Sequence, residues 1–250
     1  MDAQERADAI FAANTSGTTL EQAMTAELIR YHEPLNTANE GKSEAHLVVF
    51  ESRREAIFKP FNGQDLTACT YYSQDPIDAV MHEAAAWRLA ARMGAPWDQL
   101  VPTACLRHVP ALGSGALINR RNGGPDPQVF ADAAAQADAA GFWDILIGQQ
   151  DRHATNYRYH AESRRLALID HAFSFATPGC TLHASMFAAR RRAENRTTLN
   201  TGETDAIDAL LASGDLHGLR EFVISDRADA IERRARRMQE TKLLLLPGNF

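Results

Sequence analysis

Apolar residues recur at helical spacing over residues 3–14, with Ile10 and Phe11, and over residues 19–30, with Leu20, Met24, Leu28 and Ile29. The spacing predicts two helices, the second capped by Thr18 or Thr19. A polar stretch over 33–44 reads as a loop. The period then changes. Residues 47–50 form a short apolar run, Ser52-Arg53-Arg54 a charged turn, and residues 55–59 a second run, a pattern that predicts a hairpin closed by Pro60. Residues 76–93 return to helical spacing, with Ile77, Val80, Met81, Ala84, Trp87 and Ala91 on one face, Asp75-Pro76 at the start and Gly94 at the stop. Two more strands are expected over 100–107 and 116–118. Residues 119–127, with Asn122-Gly123-Gly124-Pro125, read as a linker. Beyond it the pattern predicts helices over 128–140, 141–149, 203–213 and 226–246, and one hairpin over 156–159 and 166–170. Trp87 and Trp143 fall on apolar helix faces and are assigned to the core. No internal repeat is present. The chain divides into a β-containing N-terminal part, a glycine-rich hinge and a largely helical C-terminal part.

The composition, 250 residues with 45% hydrophobic and 23% charged, is that of a globular protein, which excludes a disordered tail, a collagenous chain or a coiled-coil rod. A net charge of −6 argues against a dedicated nucleic-acid binder. No apolar run approaches the roughly 20 residues of a spanning helix, so no stable membrane insertion is expected. Cys69, Cys105 and Cys180 are odd in number and widely spaced, which suits a reducing compartment; with the acidic N-terminal residues this gives a cytoplasmic expectation. Of 26 basic residues only Lys42, Lys59 and Lys242 are lysine. The arginine and alanine excess reads as codon drift, and it draws attention to each surviving lysine.

The densest polar chemistry lies in Gly148-Gln149-Gln150-Asp151-Arg152-His153-Ala154-Thr155-Asn156, followed after a turn by Leu168-Ile169-Asp170-His171. This arrangement suits phosphoryl transfer. Mg²⁺ takes oxygen ligands, and an Asn carbonyl and an Asp carboxylate at two loop ends can hold it. A separate Asp nearby can orient a hydroxyl and take its proton. A cation on the nucleotide phosphates should lie on a rigid element and be oriented by an acid. Lys59, at a strand end, and Glu83, on the following helix, can pair in that way.

Asp151-Arg152-His153-x-x-Asn156 with Ile169-Asp170-His171 resembles the catalytic loop and metal motif of the phosphatidylinositol 3-/4-kinase-like superfamily, and most closely its small bacterial members. The resemblance spans residues 41–175: Phe58-Lys59-Pro60 matches the lysine strand, the residues from His82 to Ala90 the glutamate helix, and Val101-Pro102-Thr103 through Gly113-Ser114-Gly115 the strands before the hinge. It implies an α+β, two-lobed protein-kinase-like fold, an atypical kinase, with an N-lobe over 1–118 carrying a helical extension and the nucleotide hairpin, and a helical C-lobe over 119–250. It implies ATP with Mg²⁺, or Mn²⁺ in its place, as cofactors. By the same resemblance Lys59 contacts the phosphates, Glu83 holds Lys59, Asp151 is the catalytic base or orients the hydroxyl, His153 shares that role or stabilises the transferring charge, and Asn156 and Asp170 ligate the metal. The loop Gly41-Lys42-Ser43 covers the phosphates, and the backbone around Leu117, Ile118 and Asn119 receives adenine. The metal motif departs from the kinase pattern in carrying Ala172 where Gly is usual.

The resulting expectation is γ-phosphate transfer to a hydroxyl on a protein, peptide or small-molecule acceptor. The alternatives are AMP transfer, a lipid or small-molecule kinase, a phosphohydrolase with Asp151, His153, Asp170 and His171 as metal ligands, and a non-catalytic nucleotide-binding scaffold. Gly41-Lys42-Ser43 does not read as a Walker loop, because Asn36 stands where that motif needs its first glycine and a strand follows. His171 reads as a packing residue behind the site, Arg152 as a brace for loop backbone, and the cluster Arg190-Arg191-Arg192 with Arg196 as either a solvated helix face or a docking patch for acidic substrate.

Overall fold

The structure, a computed structural model, describes residues 4–5, 7, 19–36, 43–177 and 185–245. Most of the expected helix over 3–14 lies outside these residues, as do Gly41, Lys42 and Cys180. The chain runs α1 (Thr19–Ala26), β1 (Ile29–Asn36), β2 (Ala45–Phe50), β3 (Glu55–Pro60), a 3₁₀ turn (Phe61–Gly63), α2 (Leu66–Tyr71), α3 (Pro76–Met93), α4 (Trp97–Leu100), β4 (Ala104–Val109) and β5 (Gly113–Asn119). These strands form one antiparallel sheet of order β1-β2-β3-β5-β4. The expected β2–β3 hairpin pairs Val48 with Ala56 and turns at Arg53, whose φ is 65°. Strand β1 is a correction: its residues were expected to be a helix end and a loop.

Alternation along the strands sorts side chains to two faces. Val48, Phe50, Ala56, Phe58, Cys105 and Leu117 pack with Met24 of α1. Helix α3 packs on β4 and β5, sharing a core with Ala104, Leu106, Ala116 and Ile118. Its ends are those the sequence marks: Asp75 accepts hydrogen bonds from the Ile77 and Asp78 amides, Pro76 opens the first turn, and Gly94 stops it at φ 74°. Glu21 of α1 accepts from Arg88 Nε at 2.6 Å and Trp87 Nε1 at 3.3 Å, tying α1 to α3.

Beyond β5 come α5 (Val129–Asp132), α6 (Ala134–Ile147), the hairpin β6 (Tyr157–His160) and β7 (Arg165–Leu168), α7 (Met186–Ala193), α8 (Thr201–Ala212) and α9 (Ser225–Thr241). Two adjoining helices were expected over 128–149. The break lies instead at Ala133, where α5 ends, and α6 continues through Gly141, because burial of Ala140, Phe142, Trp143, Ile145 and Leu146 outweighs the weak helix propensity of glycine. Helix α9 ends short of the expected 246, at Lys242 with φ 58°. Among the described residues no helix is long and apolar enough to cross a membrane.

Both described cysteines are 2% exposed. Burial, reinforced by Asp65 and Asp75, pushes the Cys69 thiol up to about 11, and burial does the same for Cys105. The thiolate is the reactive form and rises with pH, so at pH 8 each folded thiol should react roughly 10²-fold more slowly than a free one. Peptide mapping after iodoacetamide treatment, with and without urea, should find both cysteines labelled only in urea.

Candidate active site

Strand β3 points Ile57 and Lys59 to the side opposite Phe58. Across the ladder Ile57 pairs with Ile118 and Lys59 with Ala116. Ile57, Lys59 and Ile118 therefore line one wall of a cleft of about 410 Å³, whose other wall carries Arg158, Ile169 and Asp170 and whose back is the linker from Asn119 to Gly123. Leu117 pairs with Phe58, so its side chain lies on the far face, fully buried in the core of the sheet, and only its backbone is left for the role the resemblance implies. Ser43 does not line this cleft, and its Oγ accepts from the Asp65 amide at 3.3 Å. Leu35 of β1 lines it instead. Gly115 sets the spacing of the lysine wall, since a Cβ there would stand 2.2 Å from the Lys59 carbonyl oxygen. Gly123 lets the linker lie on β6: its φ is 108°, and a Cβ would stand 2.4 Å from the Tyr159 oxygen.

Lys59 Nζ donates to Glu83 Oε1 at 2.7 Å and to Asp170 Oδ1 at 2.8 Å. These three residues come from a strand, a helix and a distant loop. Burial by itself would depress the Lys59 ammonium, but the Asp170 and Glu83 carboxylates outweigh it and hold Lys59 above the ordinary lysine value. Burial would likewise raise Glu83, and Lys59 with His171 hold it far below the usual carboxylate range. The second Glu83 oxygen accepts from the His171 amide at 3.1 Å. His171 is 1% exposed, with Nδ1 3.6 Å from Glu83 and Nε2 accepting from Trp143 Nε1 at 3.4 Å. Burial keeps its imidazole below the ordinary value. The packing reading of His171 fits this geometry.

Gly148, left-handed at φ 65°, ends α6 and releases the loop that follows. Arg152 is the brace of this loop. It is 3% exposed, its Nε donates to Asp144 at 3.1 Å, and its Nη1 donates to the Asn156 carbonyl at 2.5 Å and to the Ile169 carbonyl. One guanidinium thus joins both ends of the β6–β7 excursion, which brings Asn156 and Asp170 together. Asn156 Nδ2 donates to the Asp151 carbonyl at 2.7 Å and lies 3.4 Å from Asp151 Oδ2. His153 Nε2 lies 3.5 Å from Asp151 Oδ1, and the His153 ring is half exposed. Burial pushes the Asp151 carboxyl up; His153 opposes the shift and Asp170 adds to it.

Asp170 takes a left-handed backbone, φ 61°, which Asp tolerates better than most residues. Ala172 has no positive φ, so the missing glycine creates no strain there; its carbonyl meets His82 Nδ1 at 3.1 Å. Asn156 Oδ1 and Asp170 Oδ2 receive no hydrogen bond from the described residues. They are hard oxygen donors of the kind Mg²⁺ and Mn²⁺ take, so the site fits a divalent cation.

Two contributors were not foreseen. Tyr72 OH donates to Asp151 Oδ1 at 3.2 Å, and Gln149 Nε2 donates to the Asp170 carbonyl at 2.8 Å. No local pattern marks either residue, since each acts through a contact made by topology. The arginine cluster, by contrast, is largely structural. Arg191 is buried and pairs with Glu203 at 2.5 Å, Arg190 pairs with Glu194, and Arg196 pairs with Asp138 and Glu194.

No protein-family model and no curated protein matches the chain. Solved structures do. The chain is similar to the Golgi casein kinase with a TM-score of 0.57 at 12% identity, and to the same kinase with Mn/ADP bound with a TM-score of 0.55 at 13% identity; each match covers 88% of this chain and 74% of that one. A third match, to the Helicobacter pylori proinflammatory kinase CtkA, has a TM-score of 0.46 at 10% identity and covers 88% of this chain and 94% of that one. The antiparallel sheet, the helical second half and the first two likenesses together identify the architecture: an α+β, two-lobed protein-kinase-like fold.

Proposed function

We propose that the protein is an ATP-dependent phosphotransferase that moves the γ-phosphate to a hydroxyl on a protein or peptide, and that it is an atypical kinase of the phosphatidylinositol 3-/4-kinase-like kind. The observation that carries this reading is the Lys59 ammonium held between Glu83 and Asp170 at the wall of the cleft, with Asp151 and Asn156 on the adjoining loop. In this reading adenine lies between Ile57, Ile118 and Ile169, against the backbone around Asn119. Lys59 donates to the phosphates and Glu83 fixes its position. Asn156 and Asp170 would hold Mg²⁺ or Mn²⁺, which when bound neutralises charge on the triphosphate. Asp151 accepts the proton of the incoming hydroxyl as its oxygen bonds to the γ-phosphorus and the bond to the β-phosphate oxygen breaks, releasing ADP. Tyr72 and Asn156 hold the Asp151 carboxylate, and His153 flanks it. The loop over 41–43 is the proposed cover for the phosphates, with Gly41 and Lys42 outside the described residues.

A hydrolase using His171 as a metal ligand has less support. Both its ring nitrogens face Glu83 and Trp143, and the described residues contain no group of three or more His, Cys, Asp or Glu able to hold a metal. The test is label transfer with Mg²⁺ or Mn²⁺. Label from γ-labelled ATP should appear on the protein or an added protein acceptor, and label from α-labelled ATP should not. Transfer from the α-label alone would replace the reading with AMP transfer. Release of free phosphate with no acceptor labelled, or ATP binding with no turnover, would overturn it.

A further inference from the structure

A second cavity, of about 360 Å³, lies between the linker, the end of α4, helix α6 and the β6–β7 turn. Arg121 and Asn122 line both this hollow and the nucleotide cleft, so the linker is a wall common to the two. Lys59 and Asp170 take no part in the second one. Two guanidinium groups, Arg121 and Arg165, face the hollow, and among the described residues neither has a carboxylate partner. Arg121 Nε is shielded from solvent with no hydrogen-bond acceptor among the described residues. Burial, and then the Arg165 charge, hold the Arg121 guanidinium below the usual arginine range.

Unsatisfied buried donors are rare, and a charged one is costly, so this arrangement calls for an anion. Two neighbouring guanidinium groups favour a dianion over a monoanion, and their planar forks match phosphate oxygens. Asp98 supplies a second requirement: its Oδ1 is also buried at this hollow without a partner among the described residues, and it makes no ion pair with either arginine. An acceptor so placed suits a ligand hydroxyl. The wall is already organised. Gln136 donates to the Arg164 carbonyl at 2.7 Å and accepts from the Leu166 amide at 3.0 Å, which fixes the β6–β7 turn to α6, while His160 Nδ1 and Ser163 Oγ lie 3.0 Å apart within that turn. The volume equals that of about a dozen water molecules, the size of a small metabolite.

We propose that this hollow is a second ligand site, for a small hydroxylated phosphate monoester, with the phosphate on Arg121 and Arg165 and a hydroxyl on Asp98. It stands apart from the transfer reaction and is testable without any turnover. Isothermal titration of the full chain with inorganic phosphate and with glycerol 3-phosphate, against sodium chloride of matched ionic strength, should show saturable binding of both, tighter for the ester. Arg165→Gln, at an exposed side chain, and Arg121→Gln should each weaken both ligands about tenfold or more. Asp98→Asn should weaken the ester and leave inorganic phosphate unchanged. Lys59→Met, which removes the cation from the nucleotide cleft, should leave both affinities as they were in protein that circular dichroism shows to be folded. Absence of saturable binding, affinity unaffected by both arginine substitutions, or loss of binding in folded Lys59→Met would each overturn the proposal. The last would place the phosphate in the nucleotide cleft.

Discussion

Asp151→Asn is expected to lower phosphate transfer by about 10²–10⁴-fold while ATP affinity stays within about twofold of wild type. The substitution keeps the size of the side chain and its place beside Asn156 and Tyr72, while it removes the negative charge, the capacity to accept a proton and one of the two accepting oxygens. Asp151 does not line the cavity in which the nucleotide is placed, which is why binding and transfer should separate. Burial raises the Asp151 carboxyl above the ordinary aspartate value, which makes it a stronger base once ionised. Initial rates with γ-labelled ATP, compared with nucleotide affinity measured without acceptor, read the two quantities independently. A variant that transfers phosphate at the wild-type rate would remove Asp151 from the chemistry. The proton would then have to leave by another route, with the His153 ring 3.5 Å from Asp151.

What a local pattern could reveal of this molecule is what local chemistry determines. Helix α3 was legible because it carries its own cap, its own stop and an apolar face. The β2–β3 hairpin was legible because its runs and turn adjoin. Strand β1 was not. Its residues, Ile-Arg-Tyr-His-Glu-Pro-Leu-Asn, are mostly exposed and contain Pro34, as an edge strand tolerates. It is a strand because it pairs with β2, and no period in its own sequence records that. The helices α2 and α4 are too short, at six and four residues, to show a helical period.

The site divides in the same way. Asp151, His153 and Asn156 are close in sequence, so their grouping could be read directly. Lys59 and Asp170, 111 residues apart, were joined only by resemblance and chemical need. Tyr72, Gln149 and the arginine hollow depend on which surfaces the fold brings together. Codon drift also proved an incomplete account of the arginine excess. Arg152, Arg191, Arg227 and Arg234 are at most 4% exposed, and each donates to a backbone carbonyl of a different element of the fold. Arg227 holds the Phe175 and Ser73 carbonyls, and Arg234 the Leu146 and Ala176 carbonyls, so α9 fixes the segment that follows Asp170. A guanidinium can do this with several donors at once, where an ammonium offers one point.

The opposite requirement holds at Lys59, and Lys59→Arg is the second large expected effect. One nitrogen there lies 2.7 Å from Glu83 and 2.8 Å from Asp170. A guanidinium is wider and planar, and placing it between the same two oxygens would require β3 or α3 to move. Strand β3 is held between β2 and β5 by its ladder pairing on both sides, and Glu83 is buried within α3. Arginine should keep the positive charge and so keep Glu83 compensated, leaving the fold clearly more stable in urea than it is in Lys59→Met. Lys59→Met should instead strand a buried carboxylate, at a cost of about 3–5 kcal/mol. Transfer should fall by about 10²–10³-fold in Lys59→Arg, because a misplaced cation no longer meets the charge that develops on the phosphates. The comparison separates charge from position. If arginine restores stability and also supports wild-type transfer, the lysine is only a counter-ion for Glu83. If it restores stability alone, the compact ammonium belongs to the transfer step.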